Sequence, residues 1–394
     1  MHVSLQKAME MHQRGSIVEA QALYSHILRD EPANSDAMHL LGVTHFQLGQ
    51  SEIAVAQIGA AIELDPHNSL AYSNLGNAMQ SLGMDEQSIA CYDCAVGIDP
   101  LMADAFFNRG VVQQKMTRLE DSLGSYAQAI AVQPQHAHAM HRKGMVLHAM
   151  DRNEEAVASY DAAININADD ANVFFNRGVA LQCLNRNESA VQSYDAAIAL
   201  QPDHASAWNN QGNSYQSLDL FQSALTSYRV AQSLDDSYGD PHLNEALCLL
   251  KTGDFELGWK KYEWRLARTV SHPVAHAYSG ALWHGEDDLH GRSILLHAEQ
   301  GLGDTIQFCR YAALVAQRGA QVILQVPQSL NQLLSKLEGV AAIVSDERPT
   351  QHDFHCPLMS LPLAFGTRLS NIPSAGSYLY GDPHSRCERL FVSV

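Results

Sequence analysis

The spacing of small and apolar positions organises the first two thirds of the chain. Pro32, Pro66, Pro100, Pro134 and Pro202 are separated by 34 residues or twice that, and the vacant place falls on Ala168. Three further columns keep the same interval: Gly42, Gly76, Gly110, Gly144, Gly178 and Gly212; Tyr92, Tyr126, Tyr160, Tyr194 and Tyr228; and Ala61, Ala95, Ala129, Ala163, Ala197 and Ala231. The pattern predicts a pair of helices in each period. The glycine lies in the first helix where another must come close, the tyrosine and alanine face inward from the second, and the proline stops it. One pair cannot bury its apolar face alone, but stacked pairs can.

This period and order of residue types resemble the tetratricopeptide repeat. The resemblance implies a mainly α protein, a right-handed superhelical solenoid of about eight units over residues 1–270, with degenerate first and last units. In such solenoids the first helix of each pair lines the concave groove. One ladder along it reads Asn74, Asn108, Arg142, Asn176, Asn210 and Asn244, and another Gln80, Gln114, His148, Gln182 and Gln216. Carboxamides both donate and accept hydrogen bonds, so the asparagines and glutamines are candidates to grip an extended peptide or protein segment by its backbone. The alternative is that the asparagines satisfy neighbouring loops or water.

The fifth unit interrupts both ladders with His138, His141, Arg142 and His148, a candidate site for an acidic side chain or else a solvated polar face. His138 and His141 lie one turn apart, but no carboxylate or thiol in that helix completes a metal set. Cys91 and Cys94 flank the inward Tyr92 and are expected to serve packing.

Beyond the solenoid the period changes. Trp259, Tyr262 and Trp264 are predicted on one helix face, which needs a partner surface, and residues 271–292 are expected to be a linker. The runs SILLHAE, QVILQVP, AAIVSD and HDFHCPLMS then predict buried parallel strands, with helices over TIQFCRYAALVAQRG and QSLNQLLSKLEG. Alternating strands and helices point to a small α/β, Rossmann-like half-domain over 293–383, followed by a tail, 384–394, without expected structure.

The segments GDFELGWKKYEWR, LHAEQGLGDTIQFCRYAALVAQRGAQVIL, FHCPLMSLPLAFGT and IPSAGSYL resemble a bacterial family of tetratricopeptide proteins fused to a glycosyltransferase-like domain. That family is similar to the heptosyltransferases and to protein O-linked N-acetylglucosaminyltransferases, whose catalytic part (GT-B) has two Rossmann-like halves facing a cleft. The resemblance implies that Gly303 and Asp304 match a Gly-Asp motif after the first strand, with Asp304 a candidate base for an acceptor hydroxyl. His297, Glu299, Gly301 and Gly303 become candidate acceptor-side residues. Asp304 as a cap of a helix starting near Thr305 is a compatible alternative. A dinucleotide site is disfavoured, because Gly301-Leu302-Gly303 lacks the third glycine and Asp304 would repel a pyrophosphate. The resemblance also leads to the expectation that the donor-binding half is missing. The expected function is then a scaffold without transfer activity alone and with no cofactor, a nucleotide-sugar donor entering only if another polypeptide supplies that half.

Composition narrows the partners. A formal charge of −18, from 25 Lys and Arg against 43 Asp and Glu, with no basic cluster, argues against nucleic acid and anionic membranes. The seven scattered cysteines and the absence of an apolar run of about 18 residues predict a soluble cytoplasmic protein. Self-association through the half-domain, including the apolar LFVSV, is a further expectation.

Overall fold

The computed structural model describes residues 3–268, 278–345, 351–373 and 378–379, which fall into two units, Met1–Pro202 and Asp203–Val394. The tail 384–394 and residues 271–277 lie outside the described residues. The first unit is six consecutive helix pairs: α1 (Val3–Gln13) with α2 (Ile17–Asp30), α3 (Ser35–Gln47) with α4 (Ser51–Leu64), α5 (Ser69–Ser81) with α6 (Asp85–Ile98), α7 (Ala103–Lys115) with α8 (Leu119–Val132), α9 (Ala137–Ala149) with α10 (Asn153–Ile166), and α11 (Ala171–Cys183) with α12 (Asn187–Leu200). Successive first helices, α3 through α11, approach one another more closely than successive second helices do, so the first helices form the inner wall.

The glycine and tyrosine columns are one device. A Cβ built on Gly76, Gly110, Gly144 or Gly178 would lie 2.5–2.7 Å from a ring carbon of the tyrosine sixteen residues later. Those rings, Tyr92, Tyr126, Tyr160 and Tyr194, are fully buried with the alanine column beside them. The glycine thus makes room for a ring, and the ring fills the space between the two helices of the pair. In the second pair Ile58 takes the ring's place against Gly42, and in the first Ala8 stands in the glycine column opposite the buried Tyr24.

Each repeat reverses direction through a residue with left-handed φ. Gly15, Gly49 and Gly83 fill that place in the first three pairs, but Thr117, Asp151 and Asn185 fill it in the next three, at φ values of 59°, 57° and 56°. The N-terminal ends of the first helices form another column. Asn34, Asn68 and Asp170 cap α3, α5 and α11 through side-chain oxygens, and His136 caps α9 by accepting the Ala139 N–H at its Nδ1, 3.2 Å away.

The second unit holds two more pairs, α13 (Ala205–Ser217) with α14 (Phe221–Leu234) and α15 (Gly239–Thr252) with α16 (Phe255–Tyr262), then a short α17 (Trp264–Arg268). Tyr228 fits against Gly212 as before, and in the last pair the corresponding residues are Ala246 and Tyr262, both buried. The chain breaks at Glu263, so the three aromatics do not share one face. Trp259 and Tyr262 pack edge to face with each other, Trp259 also meets Phe308 edge to face, and Trp264 stacks on His242 at 3.8 Å.

A parallel five-stranded sheet follows: β1 (Ala281–Leu282), β2 (Ser293–His297), β3 (Gln321–Gln325), β4 (Val340–Val344) and β5 (Phe354–Pro357), in the order β1-β5-β2-β3-β4. The last four strands coincide with the four predicted runs. β1 lies within the stretch expected as linker, where Trp283, 1% exposed, enters the same core as Tyr262, Ile294 and Phe308. The single helix expected over 305–319 is instead α18 (Leu302–Phe308), a 3-10 turn and α19 (Ala312–Gln317). The helix expected over 328–339 shortens to a 3-10 turn after Pro327 and α20 (Asn331–Leu334).

Candidate functional site

Within the first unit the asparagine ladder is held by the repeat before it. Asn74 Nδ2 lies 2.9 Å from His39 Nε2 and Asn176 Nδ2 2.9 Å from His141 Nε2, each pair 35 residues apart. An amide nitrogen can only donate, so both imidazole nitrogens accept and both rings are neutral there. Burial lowers the pKa of His39 and of His141, which favours the same state. Asn108 Nδ2 donates instead to Asn77 Oδ1 at 3.1 Å, because the residue 35 before it is Ser73. The oxygens Oδ1 of Asn74, Asn108 and Asn176 are left without a hydrogen-bond partner among the described residues. Three half-buried acceptors therefore recur on the inner wall with their nitrogens anchored.

The glutamine ladder is turned the other way. Gln114 Oε1 accepts the Tyr126 hydroxyl at 2.9 Å, and Gln182 accepts that of Tyr194. Six residues after the asparagine, a glutamine sits about 9 Å along the helix and roughly 120° around it, toward the second helix. Tyr92 uses Asn77 rather than Gln80, at 2.7 Å, and His148 bonds Asn153 at 2.6 Å. In the second unit Gln216 accepts from Tyr228 at 3.1 Å, Asn244 Nδ2 donates to Asn209 at 2.9 Å, and Asn210 accepts from Asn209 at 3.1 Å.

Where Arg142 replaces asparagine, the inner wall opens into a cavity of about 340 Å³. Its lining joins Phe107 of α7, His138, His141, Arg142 and Met145 of α9, and Asn172 and Asn176 of α11. The Phe107 ring is wedged between His136 and Tyr126, with centroids 5.0 and 5.8 Å away. Phe107, Met145 and Asn172 did not stand out in the sequence, although Phe107 falls in the same 34-residue column as His39 and His141. Among the described residues no group of three or more His, Cys, Asp or Glu is placed to hold a metal ion. Cys91 is buried, Cys94 exposed, and both are free thiols.

In the second unit the candidate acceptor residues end β2. His297, 6% exposed, contacts His355 at 3.3 Å and lies under Tyr278, whose ring stacks at 4.3 Å. Burial pushes the His297 pKa down to about 3, helped by His355, His352 and Arg265. Glu299 bonds Arg265 through both carboxylate oxygens, at 3.0 and 3.2 Å, and Arg265 also reaches Glu263 at 2.6 Å and Ser360 at 2.7 Å. Burial raises the Glu299 pKa and Arg265 opposes it. Gly301 is the N-cap of α18, with no side-chain cap, and Gly303 and Asp304 stand in its first turn. The helix thus begins before Thr305, and Asp304 stands beyond the cap. Asp304 is half-buried and makes no hydrogen bond or ion pair among the described residues.

His297 gives a pH dependence with a definite sign. Its folded pKa lies below the ordinary 6.5, so between those values the unfolded chain binds the extra proton and stability falls as pH drops. By pH 5 the loss from this group alone is about 2 kcal/mol. Urea unfolding followed by tryptophan fluorescence is expected to show a lower midpoint at pH 5 than at pH 7, and a smaller drop in His297→Asn; equal drops in both proteins refute the assignment.

Comparisons with known proteins support the repeat part. A family model described as TPR repeat matches residues 144–184, and two described as tetratricopeptide repeat match 175–240 and 35–68. The chain therefore carries tetratricopeptide repeats. The C-terminal part of a TPR repeat-containing protein from Cytophaga hutchinsonii is similar, with 13% identity over 61% of this chain and 98% of that one, at a TM-score of 0.52. The likeness is one of fold. PilF of Pseudomonas aeruginosa shares 19% identity over 55% and 98% of the two chains at a TM-score of 0.47. YrrB, described as a TPR protein with an unusual peptide-binding site, shares 22% over 47% and 95% at 0.44. No curated protein sequence matches the chain significantly. Among the described residues no helix is long and apolar enough to cross a membrane.

Proposed function

We propose that this chain is a scaffold whose first unit binds an extended segment of a partner protein along its inner wall. The observation that carries this reading is the set of unpartnered Oδ1 atoms on Asn74, Asn108 and Asn176. A row of fixed acceptors complements the N–H groups along one edge of an extended backbone. Because the nitrogens are already held, little side-chain freedom is lost on binding. The glutamines keep the tyrosines in register. Six described cysteines are free, four of them buried, which supports a reducing cytoplasm as the place to seek partners.

The test is fluorescence anisotropy with a labelled Gly/Ser/Thr/Ala peptide. The variant Asn74→Ala/Asn108→Ala/Asn176→Ala is expected to bind at least about tenfold more weakly, three hydrogen bonds of about 1 kcal/mol each allowing more than that. Unchanged far-UV circular dichroism has to accompany the loss. Equal capture by the triple variant refutes the row of acceptors.

A second reading concerns the α/β part. The strand order runs β4-β3-β2 in one direction and resumes with β5 on the other side of β2. In open parallel sheets ligands lie at such a reversal, outside the carboxyl ends of the strands. The loop carrying Asp304 follows β2 at that point, which favours a Rossmann-like, glycosyltransferase-type acceptor half with Asp304 as the base. Calorimetric titration with nucleotide-diphosphate sugars decides whether this chain also engages a donor: saturable heat establishes donor binding, and a flat titration removes transfer by this chain from the reading.

A further inference from the structure

The chain has a large surplus of acid, and its arginines reflect that. Between residues 100 and 200 there are six: Arg109, Arg118, Arg142, Arg152, Arg177 and Arg186. Five have a carboxylate within 4 Å, namely Asp93 for Arg109, Asp121 and Glu86 for Arg118, Glu155 for Arg152, Asp161 for Arg177 and Glu154 for Arg186. Arg142 has none, nor any hydrogen bond among the described residues, and it lines the 340 Å³ cavity.

Its isolation follows from the column logic. At this step of the ladder the residue 35 before is Phe107, which offers an asparagine nothing to donate to. The ring leaves the guanidinium free of the preceding repeat. No acidic side chain lines the cavity. Of the nearby acids, Asp170 is engaged in capping α11, accepting the Asn172 N–H at 3.0 Å, and Asp104 lies 3.8 Å from His136. Phe107 and Met145 supply an apolar lining for methylene groups.

We propose that this cavity takes a carboxylate of the bound segment, paired with Arg142, so that the groove selects an acidic partner at its fifth repeat. A guanidinium presents a planar fork of donors that matches the two oxygens of a carboxylate. Nothing has to be displaced, because the cation has no competing partner. The inference rests on the peptide-binding reading above and adds a chemical preference to it. A side-chain carboxylate and a free C-terminal carboxylate share the required chemistry.

Three labelled Gly/Ser/Thr/Ala peptides separate the sources, one amidated with a central Gln, one amidated with a central Glu, and one with the central Gln and a free C terminus. Against the full chain, the Glu peptide or the free-carboxylate peptide is expected to bind at least about tenfold tighter than the amidated Gln peptide, and whichever gains names the source. Arg142→Gln is expected to remove that preference, whereas Arg152→Gln keeps it. No preference in the native chain, or a preference that survives Arg142→Gln, overturns the proposal. A second measurement needs no peptide: N-acetylglutamate N-methylamide titrated into ¹⁵N-labelled chain is expected to move the Arg142 Nε–Hε signal, identified by its loss in Arg142→Gln, and the glutamine analogue is not. An unmoved signal overturns the carboxylate site even where peptides bind. A moved signal with no peptide bound removes the groove reading and keeps the site.

Discussion

Arg265→Met is expected to destabilise the second unit by about 3–5 kcal/mol, because it leaves two largely buried carboxylates, Glu263 and Glu299, without the guanidinium that they share. Arg265 is 5% exposed and holds Glu263 and Glu299, with Ser360 completing the set. Burial works against its charge, but the two carboxylates keep its pKa above the ordinary value. The effect is separable from the first unit because all four tryptophans, Trp208, Trp259, Trp264 and Trp283, belong to the second. Urea unfolding read by tryptophan fluorescence should therefore shift to a lower midpoint. Adding Glu263→Gln and Glu299→Gln should recover part of the loss, since neutral amides need no cation. A fluorescence midpoint that Arg265→Met leaves in place contradicts the account of this network.

Gly144→Val is the second large effect, expected near 3 kcal/mol in the first unit. A Cβ there would lie 2.5 Å from the Tyr160 ring, and valine adds two further methyls to a place already too tight for one carbon. The ring is fully buried and packs edge to face with the His141 ring, centroids 5.9 Å apart, so it has little room to retreat. Gly144→Ala should cost less, about 1–2 kcal/mol, because Ala8 opposite Tyr24 proves that a pair spaced for a methyl can hold one. Thermal unfolding by far-UV circular dichroism measures both. Equal and negligible shifts would mean that the glycine column serves something other than the tyrosine.

The sequence carried the repeat part further than the sheet, for a physical reason. A 34-residue period repeats each local environment, so Gly144 and Tyr160 reveal their relation through Gly110 with Tyr126 and Gly178 with Tyr194. The hydrogen-bond orientation of the ladders was not legible, since it depends on contacts from Asn176 back to His141 and from Gln114 to Tyr126, which cross helices. The cavity depends on the accident that Phe107 precedes Arg142 by 35 residues, a relation visible in the columns only once the partner offset is known. In the second unit each element occurs once. The two-residue β1 carries too short a pattern to be recognised, and it is ordered by its pairing with Phe354 and His355 in β5. The strand β2 was legible because it is buried along almost its whole length and reads as a continuous apolar run, whereas β4, expected to be buried, is an edge strand with no fully buried residue.

The left-handed turns have a consequence for how the groove meets a partner. The three repeats that line the Arg142 cavity, with α7, α9 and α11 as first helices, turn through Thr117, Asp151 and Asn185, whereas the three before them turn through glycine. A residue with a side chain has fewer backbone states to wander among than glycine does. Those three reversals are stiffer joints, and the stretch of wall that bears the cation is pre-organised before any ligand arrives, so less entropy is lost there when an extended segment docks.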